Sequence, residues 1–183
     1  HKVAFVSEDR RGVGLLLNES IEQNIVFSAM QTNGRFLKKI GWFHLYDAAA
    51  AKVHATHMVE TLDIRCTGIG QAAGRLSGGN QQKVVFAKLL NSDVNILLLD
   101  EPTKGVDVGA KAQIYSIMSD LAAQGYAIIL VSSEMPEVMS MADRIGVMHE
   151  GHLAAIFDAS HVTQEEILAA AMTAKDEDLK EGA

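Results

Sequence analysis

The chain has 183 residues, enough for one substantial hydrophobic core and too few for two ordinary domains. Hydrophobic residues make up 48% and charged residues 21%, with only 2 prolines, a composition that excludes a disordered protein. The formal net charge of −7 disfavours a surface built to neutralise nucleic-acid phosphates. The single cysteine, Cys66, excludes an internal disulfide, and no stretch approaches the roughly 18 apolar residues that span a membrane. We expect a cytosolic protein.

Strand-like and helix-like segments alternate along the chain, which predicts an α/β fold with a mostly parallel sheet. The predicted strands cover residues 3–7, 95–99, 127–131, 145–148 and 153–157. The predicted helices cover residues 21–30, 48–62, 81–90, 109–124, 136–141 and 164–172, the last behind a Thr163 cap. Residues 31–41 are predicted to be turns, and residues 149–152 the turn of a hairpin. The runs at 95–99 and 127–131 are typical of strands buried on both faces.

One domain is predicted over residues 1–172. It would consist of a helical region at about 20–90 and a sheet-containing core at about 91–172. The acidic tail at 173–183 is expected to be frayed.

The segment LSGGNQQ, residues 76–82, offers a binding site for an anion. Ser77 stands where a helix cap would stand, and Gly78 and Gly79 let the backbone come close to a bound group. The free amides at a helix start favour a phosphate there. Taken alone, the segment favours a simpler interpretation, a capped helix with a flexible entry, so its context decides.

That context is the acidic pair at the end of the next predicted strand. Asp100 and Glu101 follow the apolar run at 95–99, at the carboxyl end where ligands of open α/β sheets collect. Asp100 can hold Mg²⁺, and Glu101 can orient or deprotonate the water that attacks a γ-phosphate. A tight loop at 102–107 then leads into the next helix.

Two stretches together carry a family resemblance: LSGGNQQKVVFAKLL at 76–90 and NILLLDEPTKGVDVGAK at 95–111. They resemble the ATP-binding cassette ATPases, whose serine-glycine signature closes over ATP held by a facing cassette. The resemblance implies ATP and Mg²⁺ as cofactors, with Asp100 as the Mg²⁺ ligand and Glu101 as the catalytic carboxylate. It implies nucleotide-binding roles for Ser77, Gly78, Gly79, Asn80, Gln81, Asp107 and Ser133, with Asp107 in a loop that crosses the cassette dimer.

Two further stretches narrow the resemblance, SEDRRGVGLLLNESIEQNI at 7–25 and VSSEMPEVMSMADRIGVMHEG at 131–151. They are similar to the second cassette of bacterial importers for monosaccharides and autoinducer-2. The implied protein hydrolyses ATP to drive import and sits peripherally on the cytoplasmic face of the inner membrane. Its implied partners are a sister cassette, transmembrane permease subunits and, indirectly, a periplasmic solute-binding protein, with no nucleic acid.

The sequence departs from the family pattern in three places. It contains no G-x-x-x-x-G-K-[ST] phosphate loop, so we expect the downstream part of a cassette. Ser133 occupies the position of the usual switch histidine and has no imidazole to ionise near neutral pH. Glu8 only loosely matches the glutamine that senses the γ-phosphate. Two alternatives therefore stay open: a docking fragment without catalysis, and a cassette ATPase that acts on nucleic acid or ribosomes.

Overall fold

The computed structural model describes residues 2–9, 12, 14–91 and 94–172, so the predicted frayed tail lies outside the described residues. The strands are β1 (Val3–Val6), β2 (Leu37–Ile40), β3 (Phe43–Tyr46), β4 (Ile96–Asp100), β5 (Ala127–Val131), β6 (Arg144–His149) and β7 (His152–Asp158). The helices are α1 (Ile21–Asn33), α2 (Ala48–Thr61), α3 (Gly78–Leu90), α4 (Val108–Ala123), α5 (Met135–Met141) and α6 (Gln164–Met172). The chain divides into two compact units, one ending at Val131 and one beginning at Ser132.

The first unit contains a parallel sheet of order β1-β4-β5, which confirms the predicted α/β class. Side chains alternate between the two faces of a strand. Val6, Leu97 and Leu99 point to one face and are buried. The prediction that β4 and β5 are buried on both faces is wrong for β5, because Ile129 is 55% exposed on the opposite face. We call the exposed side chains of that face the open stripe; they are Val3, Phe5, Ile129 and Val131.

Helix α1 begins at a capping box, which fixes its first turn. Ser20 Oγ accepts a hydrogen bond from the Gln23 amide at 3.1 Å, and Gln23 Oε1 accepts one from the Ser20 amide at 3.0 Å. The helix ends at Gly34, whose φ of 65° is the left-handed conformation that glycine adopts without strain. Helix α1 packs against α2 and α3.

Residues 37–46 form an antiparallel hairpin, β2–β3, where turns extending to Gly41 were predicted. Both strands are short, and LKKI does not alternate apolar with polar residues, so the segment carries a weak strand signal. Trp42, at the turn, is 85% exposed. Among the described residues, no helix is long and apolar enough to cross a bilayer.

The second unit contains the predicted hairpin, formed by β6 and β7. Its turn uses Glu150 and Gly151, both at positive φ. Ile145 and Val147 of β6 pack with Ile167 of α6 to form a small core. Thr163 and Glu166 complete the predicted capping box at the start of α6, with Glu166 Oε2 accepting from the Thr163 amide at 2.8 Å.

Candidate functional site

Ser77 is the N-cap of α3, so the helix begins three residues earlier than the predicted start at Gln81. Asn80 connects this cap to the preceding segment. Its Nδ2 donates to Ser77 Oγ at 2.9 Å, and its Oδ1 accepts from the Arg65 amide at 2.8 Å. Ser77 itself is exposed. Ser77 Oγ also accepts from the Asn80 amide, so an exposed serine caps the start of α3, and the start of a helix favours a bound anion.

Gly79 and Gln81 face inward from the same turn. Gly79 is buried, and a Cβ on it would lie 2.3 Å from the Ala110 Cβ of α4. Gln81 is 3% exposed, and its Nε2 donates to the carbonyls of Leu76 at 3.2 Å and Ala73 at 3.4 Å. Gln81 thus holds the turn that leads into α3. A contact between its side chain and a nucleotide stays a prediction.

Asp100 and Glu101 lie at the carboxyl end of β4, as predicted, and both are partly buried. Glu101 has a φ of 47°, in the left-handed region that disfavours residues with a Cβ. Its amide donates to the Val131 carbonyl at 2.9 Å, and its carbonyl accepts from the Lys104 amide at 3.1 Å. Pro102 and Thr103, in the turn between, are buried. The turn therefore fixes the backbone that carries Glu101.

Asp107 is the N-cap of α4, with its Oδ1 accepting from the Ala110 amide at 3.0 Å. Because Gly79 meets Ala110, the start of α3 and the start of α4 pack directly together. The structure thus brings the predicted signature segment next to the predicted dimer-crossing loop.

Lys104 is a residue that the sequence interpretation missed. Its Nζ lies 2.8 Å from Glu8 Oε1, which joins the loop after β4 to the loop after β1. The hydrogen bond and charge of Glu8, with the further charges of Glu101 and Asp100, raise the pKa of Lys104. Opposite charges in the loops that follow two strands of one parallel sheet were the available signal.

Ser133 lies in the second unit and is exposed. Its neighbours hold the loop in place. Ser132 Oγ donates to the buried carboxylate of Glu137 at 2.5 Å and accepts from the Glu134 amide at 3.1 Å. The loop that carries Ser133 is therefore held from within its own unit.

A metal site made only of protein ligands is absent from the described part of the chain, where no group of three His, Cys, Asp or Glu side chains comes together. Asp100 nevertheless fits Mg²⁺, since this ion is often held by one or two carboxylates together with substrate phosphates. A depression of about 530 Å³ lies away from these motifs, between the β2–β3 hairpin and α2. It is lined by Lys38, Asp47, Ala49, Ala50, Val53, His54 and His57.

Comparison with known proteins gave consistent results. The model of the ABC transporter family matches residues 1–104. The ribose import ATP-binding protein RbsA 2 of Streptomyces avermitilis is 43% identical over 169 residues, which cover 92% of this chain and 32% of that protein. The ribose import ATP-binding protein RbsA of Shouchella clausii is 44% identical over 168 residues, with coverages of 91% and 32%. The chain thus spans about a third of the length of these relatives.

Two solved structures share the fold. A metal-chelate type ABC transporter in an inward-facing conformation has a TM-score of 0.72 at 18% identity, over 92% of this chain and 62% of that one. A dimeric ATP-binding cassette in a post-hydrolysis state, bound to ADP and phosphate, has a TM-score of 0.65 at 19% identity, over 86% and 63%. Both likenesses confirm the predicted cassette fold. With the family match over residues 1–104, they lead to one conclusion: the chain belongs to the ABC transporter family.

Proposed function

We propose that this chain forms part of the second nucleotide-binding cassette of an ATP-hydrolysing subunit that drives a sugar importer. One observation carries the proposal most directly. The Ser77-capped start of α3 packs through Gly79 and Ala110 onto the start of α4, which Asp107 caps. This packing supports the proposal that the start of α3 binds an anion beside a loop that takes part in a cassette dimer.

The relatives support the choice of transported solute. Proteins that are 43% and 44% identical to most of this chain are named ribose import ATP-binding proteins. We extend that name to a monosaccharide or related solute as the cargo. The partners of the complete protein would be a sister cassette, permease subunits and, indirectly, a periplasmic solute-binding protein, at the cytoplasmic face of the membrane and without nucleic acid.

Each site residue has a proposed task. Ser77, Gly78 and Gly79 would offer backbone amides and a hydroxyl to the ATP of the facing cassette, while Asn80 and Gln81 would hold that turn. Asp100 would hold Mg²⁺, which when bound neutralises charge on the phosphates. Glu101 would orient and deprotonate the attacking water. Asp107 would contribute from the crossing loop, and Ser133 would donate a hydrogen bond in place of an imidazole.

The test uses the full-length subunit that contains this chain. Glu101→Gln removes the proposed base and keeps the size of the side chain, so ATP should still bind while hydrolysis falls about 10²-fold at the site that uses Glu101. Glu60→Gln, an exposed change on α2, is the matched control and should leave turnover unchanged. Single-turnover ATP hydrolysis and ATP binding are measured side by side. Equal hydrolysis at that site in the two variants would remove Glu101 from catalysis.

A further inference from the structure

The loops after β1 and β4 are joined by one ion pair. Lys104 Nζ and Glu8 Oε1 are 2.8 Å apart, and both side chains are about half exposed, at 56% and 50%. Exposed pairs of this kind contribute little to folding stability. This ion pair lies beside two acidic residues of the candidate site. A role at that site explains its presence better than folding stability does.

The backbone of the turn at residues 101–104 indicates such a role. The Lys104 amide donates to the Glu101 carbonyl at 3.1 Å, so the ammonium and the Glu101 carboxylate belong to the same four-residue turn. Glu101 has a strained φ of 47°, which persists only where the surroundings hold it. The ion pair with Glu8 connects this turn to the loop after β1, 96 residues away in sequence. It also keeps a positive charge in the turn that carries Glu101, and the charges of Glu101 and Asp100 contribute to the raised pKa of Lys104.

We propose that Lys104 is a positioning residue of the Asp100–Glu101 site, with two effects. Through Glu8 it holds the turn that carries Glu101 in place. Its ammonium also weakens the attraction of the site for a divalent cation, because its positive charge partly compensates the two carboxylates. This inference rests on the proposed function, since it assigns Lys104 a role at the same nucleotide site.

Removing the Lys104 charge should change two measured quantities in opposite directions, lowering the rate of hydrolysis and raising the affinity for a divalent cation. This pattern distinguishes a positioning role from a simple loss of stability. Lys104→Gln breaks this ion pair and should lower the single-turnover rate at the site that uses Glu101 by about 10-fold, the scale for losing a residue that orients a site. The same change removes a positive charge near Asp100, so divalent-cation affinity should rise by about 2- to 5-fold. Glu8→Gln also breaks the ion pair, but it removes a negative charge and should weaken cation affinity. A variant that merely unfolds would weaken both properties.

The experiment uses the full-length subunit with Mn²⁺ as the probe. Free Mn²⁺ is titrated by electron paramagnetic resonance in the presence of a non-hydrolysable ATP analogue, and single-turnover ATP hydrolysis at the site that uses Glu101 is measured with Mg²⁺. Lys104→Arg should keep both values, and the charge swap Glu8→Lys with Lys104→Glu should recover the single-turnover rate in part. Lys52→Gln, exposed on α2, is the control for loss of one charge.

Two results would overturn the proposal. One is a Lys104→Gln variant that matches Lys52→Gln in both Mn²⁺ affinity and the single-turnover rate at the site that uses Glu101. The other is a change of Mn²⁺ affinity in the same direction for Lys104→Gln and Glu8→Gln. If the wild-type subunit itself turns over no ATP, the proposed function fails, and the Mn²⁺ titration still reads the Lys104 effect separately.

Discussion

Gly79 of α3 lies directly against Ala110 of α4, because a Cβ on Gly79 would lie 2.3 Å from the Ala110 Cβ. Gly79→Ala should therefore force the helices apart and lower the free energy of unfolding by about 1–3 kcal/mol. Ala110→Gly, added to Gly79→Ala, should return part of the loss by removing the clashing atom. Urea denaturation of the full-length subunit and its variants measures both effects.

Gly70 provides the control for this pair. It has no atom within 4 Å of a built Cβ and no positive φ, so Gly70→Ala should be close to neutral. Equal losses for Gly79→Ala and Gly70→Ala would contradict the close packing of α3 on α4.

Ser77 and Glu101 are proposed to serve different composite ATP sites in the complete protein. Glu101 would belong with Ser133, which lacks an imidazole, so that site should hydrolyse slowly. Ser77→Arg places bulk and charge where the backbone should approach the phosphates of the other site. Total ATPase should thus fall further in Ser77→Arg than in Glu101→Gln, as measured by steady-state turnover.

One experimental result would contradict the expected ordering of these two variants. Abolished turnover in Glu101→Gln, with most activity kept in Ser77→Arg, would assign the slow and fast sites the other way round. A thermal melt for each variant shows that the protein remains folded.

Ser20 should stabilise α1 through its capping box with Gln23. Ser20→Ala removes the acceptor of the Gln23 amide and should cost about 1 kcal/mol of unfolding free energy. Thr32→Ala is a suitable comparison, since Thr32 is exposed near the other end of α1 and donates to the Ser28 carbonyl of the same helix. We expect a change of a few tenths of a kcal/mol there, and a larger loss at Thr32 than at Ser20 would contradict the cap.

His54 should make stability depend on pH. It lies 5.4 Å from the Phe36 ring, and burial, together with the nearby charge of Arg35, lowers the pKa of His54. The unfolded chain therefore binds a proton before the folded chain does, so stability is full above the unfolded pKa of about 6.5 and falls on acidification below it. Replacing His54 with Phe should flatten this part of the profile.

Urea unfolding between pH 7.5 and pH 5 measures the effect, with His44→Gln on the exposed strand β3 as the control. The same acid-dependent loss in the His54→Phe variant as in the wild type would assign the dependence to other groups.

The sequence predicted most of the elements because their signals were local. The apolar runs that became β4 and β5 end within one residue of their predicted limits, and α1 begins at residue 21 as predicted. The β2–β3 hairpin was missed, since each strand has four residues and their apolar side chains are exposed instead of forming a core. An alternating apolar pattern predicts a strand only where one face of the strand is buried, because burial selects the apolar residues.

The candidate site was predicted in part for a similar reason. Asp100, Glu101 and Ser77 occupy strand ends and helix starts, positions that sequence motifs specify. The approach of Gly79 to Ala110 and the pairing of Glu8 with Lys104 join residues far apart in the chain, so only the fold reveals them. The inward direction of Gln81 depends on the carbonyls of Leu76 and Ala73 and has no sequence signature.

The open stripe on the parallel sheet has a practical consequence for anyone who expresses these 183 residues alone. Val3 and Phe5 on β1 and Ile129 and Val131 on β5 would meet water on one face of the sheet, on either side of β4, and such an apolar surface promotes association between copies. Copies of the isolated polypeptide should bind one another through this surface and elute as oligomers. The substitutions Phe5→Thr and Ile129→Thr should shift the isolated chain toward the monomer.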